Sequence, residues 1–497
     1  GVADMKRGLS VGMGLVLVGG GVTPALAPLG VDSAVAATRA AKPYDFDGDG
    51  YADLAVGVPG EDLGRKRDAG AVQVLYGSAS GVTDRDQIWH QGRKGVKGAP
   101  EKGDSFGKPL TSADFDADGF ADLAIGIPGE GIRGKAEVGA VHVLYGSRSG
   151  LTAAGDQIWH QGKSGVPGNN QAGDDFGRAL VSGDFDSDGF PDLAIGVPGE
   201  NVGSVPDAGV VVVLRGSGSG LTARGAQMLK QGRDGLPSKP GRYEGFGATL
   251  ATGDVNGDKH DDLVVVVESD ADFLTPNAVN LDEASSGVHV IMGSPAGLAP
   301  RGSQFFSPEA LGFARYSYFR KPALADFDGD GRDDLAAGFS QSSPREFGVV
   351  VLHGYADGLQ VAPLPVADTP GVDTFLPTPR SASPEAGDVT GDGHVDLVLG
   401  MWPSMAVIPG SRDGLTGTFV ESSPGIAVNY LQALPLSGGP RKWLAIGMPY
   451  DTDTPGGRVG VVQVTGTGKA GRVAVWDQDS RGIKGSAESG DRFGVLG

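Results

Sequence analysis

Six short stretches of this chain gather side-chain oxygens at a spacing that suits a cation. The first holds Asp45, Asp47, Asp49 and Asp53, the second Asp114, Asp116, Asp118 and Asp122. The third holds Asp184, Asp186, Asp188 and Asp192, and the fifth Asp326, Asp328, Asp330 and Asp334. The fourth reads Asp254, Asn256, Asp258 and Asp262, and the sixth Asp388, Thr390, Asp392 and Asp396. Oxygen donors thus fall at positions 1, 3, 5 and 9 of a nine-residue loop, usually with Gly at 6. Side chains at alternate positions of a tight loop converge, and a glycine at 6 permits the sharp turn. The carbonyl at position 7 can then turn inward; that residue is Tyr51, Phe120, Phe190, His260, Arg332 or His394 in the six loops. The position 9 carboxylate, already on the next strand, closes the shell. Such an all-oxygen set suits calcium, a hard cation that takes about six to eight oxygens.

A metal-free turn also favours Asp and Gly. Turn chemistry alone does not call for four acids within nine residues, where like charges repel. Up to six calcium ions are therefore expected. The weakest site is expected at 254–262, where Asn256 replaces an acid and Lys259 stands at position 6; Thr390 makes 388–396 intermediate. Six doubly charged ions would cancel more than half of the formal net charge of −20. That charge argues against a nucleic-acid partner, which needs a basic face.

Other chemistry is poorly supported. The chain has no cysteine, which excludes disulfides, thiolate zinc sites and a cysteine nucleophile, and its seven histidines are scattered. Gly77–Gly81 and Gly146–Gly150 have the outline of a hydrolase elbow but place Ala79 or Arg148 where the serine belongs. Gly466–Gly471 spells a dinucleotide-binding fingerprint but sits in a strand turn with no helix after it. His90 and His160, each following a tryptophan, read as strand-edge packing, and Trp89 and Trp159 as core rather than sugar platforms.

The elements that position the loops repeat with them. The loops start 62 to 72 residues apart, a period that signals a solenoid or propeller. Each loop runs into an apolar strand such as Leu54-Ala-Val-Gly-Val58. A second strand ends in a glycine turn, as in Ala71–Gly77, Ala140–Gly146 and Val210–Gly216. That second element recurs seven times, the last as Val461–Gly466, against six acidic loops: the seventh unit keeps Leu444–Pro449 but has Ser437–Lys442 in place of the acids. Adding a strand before the loop (Phe106–Leu110, Phe176–Leu180, Phe246–Leu250) and one near Gln87–His90 gives four strands per unit. Seven such units predict an all-β, seven-bladed propeller of four-stranded blades over 38–497. The first unit lacks its leading strand, and Gly490–Gly497 matches the segment from Gly103, so the C-terminal strand is expected to close the ring. A chain cut partway into an eighth unit is the competing reading.

Phe-Gly, Asp-x-Asp-x-Asp-Gly-x-x-Asp-Leu and Gly-Val-Pro or Gly-Ile-Pro together resemble the FG-GAP repeat. This is the repeat of the integrin α-subunit N-terminal β-propeller, and similar repeats occur in bacterial secreted proteins. The resemblance implies calcium in the loop joining the first two strands of a blade. It extends over essentially all of 38–497 and thins in units four to six, where Phe-Gly becomes Tyr318-Phe319 and is then lost. Met5-Lys6-Arg7, an apolar run to Val22 and Val35-Ala36-Ala37 read as a secretory signal peptide over 1–37, with no membrane span after its cleavage. The expectation is a secreted, extracellular monomer that binds a protein or glycan and does no catalysis of its own. The alternatives are a lectin, marked by exposed aromatics between blades, or a calcium-dependent extracellular hydrolase or lyase built on the propeller.

Overall fold

The computed structural model describes residues 41–267, 286–313, 317–342, 345–361, 375–378, 383–401, 404–416, 420–422, 430–432, 443–448, 456–480, 483, 491–493 and 495–496. The expected signal segment and Ser437–Lys442 lie outside these residues. The described residues form seven antiparallel sheets, the blades of a β-propeller, with one short 3₁₀ turn, Glu309–Leu311, and no α-helix. Among them no helix is long and apolar enough to cross a membrane.

Blade two shows the pattern: Leu110–Ala113, Asp122–Ile127, Ala140–Tyr145 and Thr152–Trp159, paired in that order. The second and third strands are buried along their whole length, because neighbouring blades cover both of their faces. Continuous runs such as Leu-Ala-Ile-Gly-Ile follow from that two-sided burial. The fourth strand is half exposed and carries Thr, Gln and Gly between its apolar residues. Blade five departs from this pattern. Its outer strand comes in two pieces, Gly358–Gln360 and Phe375–Thr378, which pair with opposite ends of Arg345–Tyr355.

The first strand is not where Phe-Gly suggests. It begins at Leu110, Leu180 and Thr249, after the Phe-Gly pairs. Gly107 has φ +92°, outside any strand, and a Cβ there would stand 2.7 Å from the Ala71 carbonyl. Phe106, Phe176 and Phe246 are fully buried, and their amides donate to Ala69, Val138 and Ala208 at about the same distance of 3 Å. Phe-Gly is therefore the joint that docks one blade on the previous one.

The ring closes by the same joint. Val495–Leu496 pairs with Leu54–Val58 as the first strand of blade one. Phe493 is fully buried and its amide donates to Gly456, as Phe106 does to Ala69. Side chains repeat the joint as well. Gln91 donates to Glu130 (2.6 Å), Gln161 to Glu200 (2.8 Å) and, across the closure, Gln478 to Glu61 (2.5 Å).

Candidate metal loops

Each loop joins the first strand of a blade to the second, and its backbone is bent sharply twice. Gly50, Gly119, Gly189 and Gly331 at position 6 have φ near +90°, and Lys259 is held at +74°. Position 4 is left-handed too, even as Ala117 (φ +54°) and Ser187 (+52°). The position 1 aspartate organises this bend. In loop two Asp114 accepts the amides of Asp118 and Gly119 at 3.0 Å, and Asp184 and Asp326 do the same in their loops.

Position 9 has a different task. Asp53, Asp122, Asp262, Asp334 and Asp396 each accept one backbone amide from position 2 and one from the glycine turn after the third strand, and Asp396 takes a third from Thr390. These carboxylates staple the loop to the blade, and all are nearly inaccessible to water.

Convergence differs between loops. Positions 1, 3 and 5 bring oxygens within 4.8 Å of one another in loops one, three and five: Asp45, Asp47 and Asp49; Asp184, Asp186 and Asp188; Asp326, Asp328 and Asp330. In loop two the set is Asp114, Asp116 and Asp122, so only there does the position 9 acid join position 1. Loops four and six form no such group among the described residues. In loop six Thr390 turns its amide and hydroxyl onto Asp396. In loop four the Asn256 amide donates to Asp258 at 3.1 Å.

The acids are crowded and short of counter-charge. Burial, chiefly, pushes Asp53 and Asp122 up to about 8, Asp192 and Asp262 to about 7, and Asp116 to about 6. Asp45 Oδ1 and Asp186 Oδ1 are buried without a hydrogen-bond partner. All-oxygen donors, excess negative charge and unmet acceptors fit a hard divalent cation.

Two of the position 7 side chains face the neighbouring loop. Phe120 packs over Gly48, and Arg332 lies against Gly257 and donates to the Asn256 carbonyl. Backbone bonds continue the contact: Ala121 donates to the Asp45 carbonyl, Asp261 to Asp184 and Asp333 to Asp254. Loop three presents Pro191 at the equivalent position, which has no amide to give.

Acid counting missed the residue just before the turn glycine. Strand register puts it opposite position 9, since Leu54 faces Leu75, Leu193 faces Leu214 and Leu335 faces Leu352. The occupants are Tyr76, Tyr145, Arg215, Met292 and His353. Arg215 Nη1 lies 2.6 Å from Asp186 and 2.8 Å from Asp192, with the side chain 12% exposed. Loop three therefore already holds an internal cation. In loop one Arg85 pairs with Asp47 from an exposed position. No ion pair involves the loop two acids among the described residues. In blade five His353 faces Asp334 and Asp328; burial alone would lower its pKa, but the two carboxylates outweigh it and raise it.

The aromatic candidates fall in the core. Trp89 and Trp159 are 3% and 5% exposed, each capped by a cation, Arg93 or Lys163. Tyr355 is the one exposed aromatic among the described residues.

Known proteins are similar to parts of this chain. The FG-GAP repeat model matches residues 39–75, 107–144, 176–214 and 319–353. Phosphatidylinositol-glycan-specific phospholipase D of Mus musculus is 34% identical over 160 residues, 32% of this chain and 18% of that protein. Integrin alpha-PS2 of Drosophila melanogaster is 32% identical over 246 residues, 47% of this chain and 15% of that protein. The chain thus spans less than a fifth of the length of these curated relatives. Among solved structures, Bacillus licheniformis Rhamnogalacturonan Lyase PL11 aligns over 84% of this chain and 70% of its own. The TM-score is 0.35 and the identity 11%.

Proposed function

We propose, from a chain that carries FG-GAP repeats and resembles the integrin α β-propeller, that it is a secreted binding module whose fold is held by calcium. Residues 1–37 serve as the export signal and 38–497 as the propeller. The observation that supports this most is the convergence of three carboxylates within 4.8 Å in each of loops one, two, three and five. Calcium, when bound, would neutralise that charge and fix the loop conformation. The ligands would come from Asp45, Asp47 and Asp49; Asp114, Asp116 and Asp122; Asp184, Asp186 and Asp188; and Asp326, Asp328 and Asp330. The 254–262 and 388–396 loops would bind more weakly. The chain's own residues then hold one rim of the ring rigid, and loops of that kind display recognition surfaces. The ligand is an extracellular protein or glycan, met without covalent chemistry.

The test is an array of glycans and matrix proteins probed with the full chain in calcium and after chelation. Calcium-dependent retention on one class supports the proposal. Absence of retention in both states, or turnover of a polysaccharide in place of binding, overturns it.

A further inference from the structure

In blade five the histidine before the turn glycine changes the chemistry of the loop. His353 is 4% exposed, and neither ring nitrogen has a hydrogen-bond partner. Its Nδ1 stands 3.3 Å from Asp334 Oδ1 and 3.5 Å from Asp328 Oδ2. The three residues bring ligand atoms within 4.8 Å of one another. Their orientations are fixed independently of each other. Asp334 is held by the amides of Phe327 and Gly354, at 3.2 and 2.9 Å. Asp328 accepts the Asp330 amide on Oδ1, which leaves Oδ2 toward the ring. His353 is fixed by strand register, opposite Asp334.

We propose that Asp328, Asp334 and His353 form a site for a transition-metal divalent cation, zinc in the first instance, distinct in kind from the all-oxygen loops. The donor set is the first reason. Calcium takes oxygens, whereas imidazole with carboxylates suits zinc and its neighbours. Spacing is the second. Zinc–nitrogen and zinc–oxygen bonds of about 2.0–2.1 Å put tetrahedral ligands about 3.3–3.4 Å apart. The contact to Asp334 falls at that separation and the one to Asp328 just beyond it, and both are longer than a good hydrogen bond. The buried imidazole is the third: its Nδ1 is aimed between two carboxylates, and neither ring nitrogen makes a well-formed hydrogen bond. Blades one to four place Tyr, Tyr, Arg and Met at this position, so the site belongs to blade five alone among them. Asp328 also belongs to the all-oxygen triad with Asp326 and Asp330, so the two kinds of ion share one carboxylate.

The test uses the full chain with His260 and His394 changed to Gln, because these two histidines also sit in loops. Zinc is titrated in excess calcium and counted by native mass spectrometry, and cobalt is titrated as a spectroscopic stand-in. The expected result is one tight zinc equivalent and one cobalt equivalent with the visible absorption of a low-symmetry, nitrogen-containing site. His353→Gln removes both. Asp328→Asn, at a more exposed position, weakens zinc by about tenfold or more. Retention of the zinc equivalent in His353→Gln, or no tight zinc in the parent, overturns the site and leaves His353 as an organic counter-ion to its carboxylates. Calcium counted in the same samples separates this outcome from failure of the calcium proposal.

Discussion

Replacing Arg215 with Tyr, the residue blades one and two use at that position, should turn loop three from a partly self-neutralised, weak calcium site into a tight one. The guanidinium lies 2.6 and 2.8 Å from Asp186 and Asp192 and also donates to the Ala296 carbonyl. A divalent ion in this loop would sit about 4 Å from that charge. At an effective dielectric near 20 this costs about 8 kcal/mol, twice the figure for two unit charges. Arg215 can swing toward solvent and water can screen it; if about a quarter of the cost survives, about 2 kcal/mol remains, a roughly thirtyfold weaker site. The groove accepts a tyrosine, since Gly220 and Gly150 border the hydroxyls of Tyr145 and Tyr76 as Gly297 borders Arg215. Isothermal titration and native mass spectrometry should find one more calcium, or one much tighter, in Arg215→Tyr. Without metal the same variant leaves two acids unpaired, so its melting temperature in chelator should fall below that of the parent. Identical calcium isotherms for both proteins would refute the view that Arg215 competes with metal.

Three further outcomes follow from the loops and the closure. Asp116→Asn should remove one calcium at little cost to the stripped protein, whereas Asp122→Asn should lower stability with or without metal. An amide oxygen cannot replace both carboxylate oxygens that hold Phe115 and Gly146; equal behaviour of the two variants in chelator would contradict this. In stripped protein the folded pKa values of Asp53, Asp122, Asp192 and Asp262 lie above the unfolded value of about 3.9, so the native state binds the extra protons. Its stability is then full below about pH 4 and declines as pH rises toward 7–8, and added calcium should flatten the slope; melting curves across that range decide it. Phe493→Ala should cost about 3–5 kcal/mol of cooperative stability, because the ring is sealed through this fully buried ring. A loosened tail with an unchanged global melt would show that the closing strand is dispensable.

The propeller was legible because every blade repeats the same two buried runs, and two-sided burial leaves a continuous apolar signature. The closing strand was legible for the same reason, since Arg492-Phe493-Gly494 repeats Ser105-Phe106-Gly107. The position of Phe-Gly relative to the first strand was not, because the left-handed backbone of Gly107 arises from the approach of Ala71, a residue of the previous blade. The acid spacing identified the loops but could not rank them. What separates loop two from loop three is Arg215, 23 residues beyond Asp192, and only the pairing of Leu193 with Leu214 brings it over the acids. The same register hid His353. A reader who pairs each Asp-Leu with the Leu that precedes the turn could have recovered both.

The position 9 aspartate explains why metal and fold should be coupled. Its two oxygens already hold the loop at position 2 and the turn after the third strand, so it is the point at which three segments of a blade meet. A cation near that carboxylate does not decorate a finished turn. It removes the repulsion from Asp114 and Asp116 that, with burial, drives Asp122 toward protonation. Adjacent loops are joined as well, through Ala121 to Asp45, Asp261 to Asp184 and Asp333 to Asp254. Strain left in one loop is therefore felt by the next. Loops one and two, and loops three to five, should lose their cations as coupled groups rather than by the fraying of single loops, with the break at Pro191 between them.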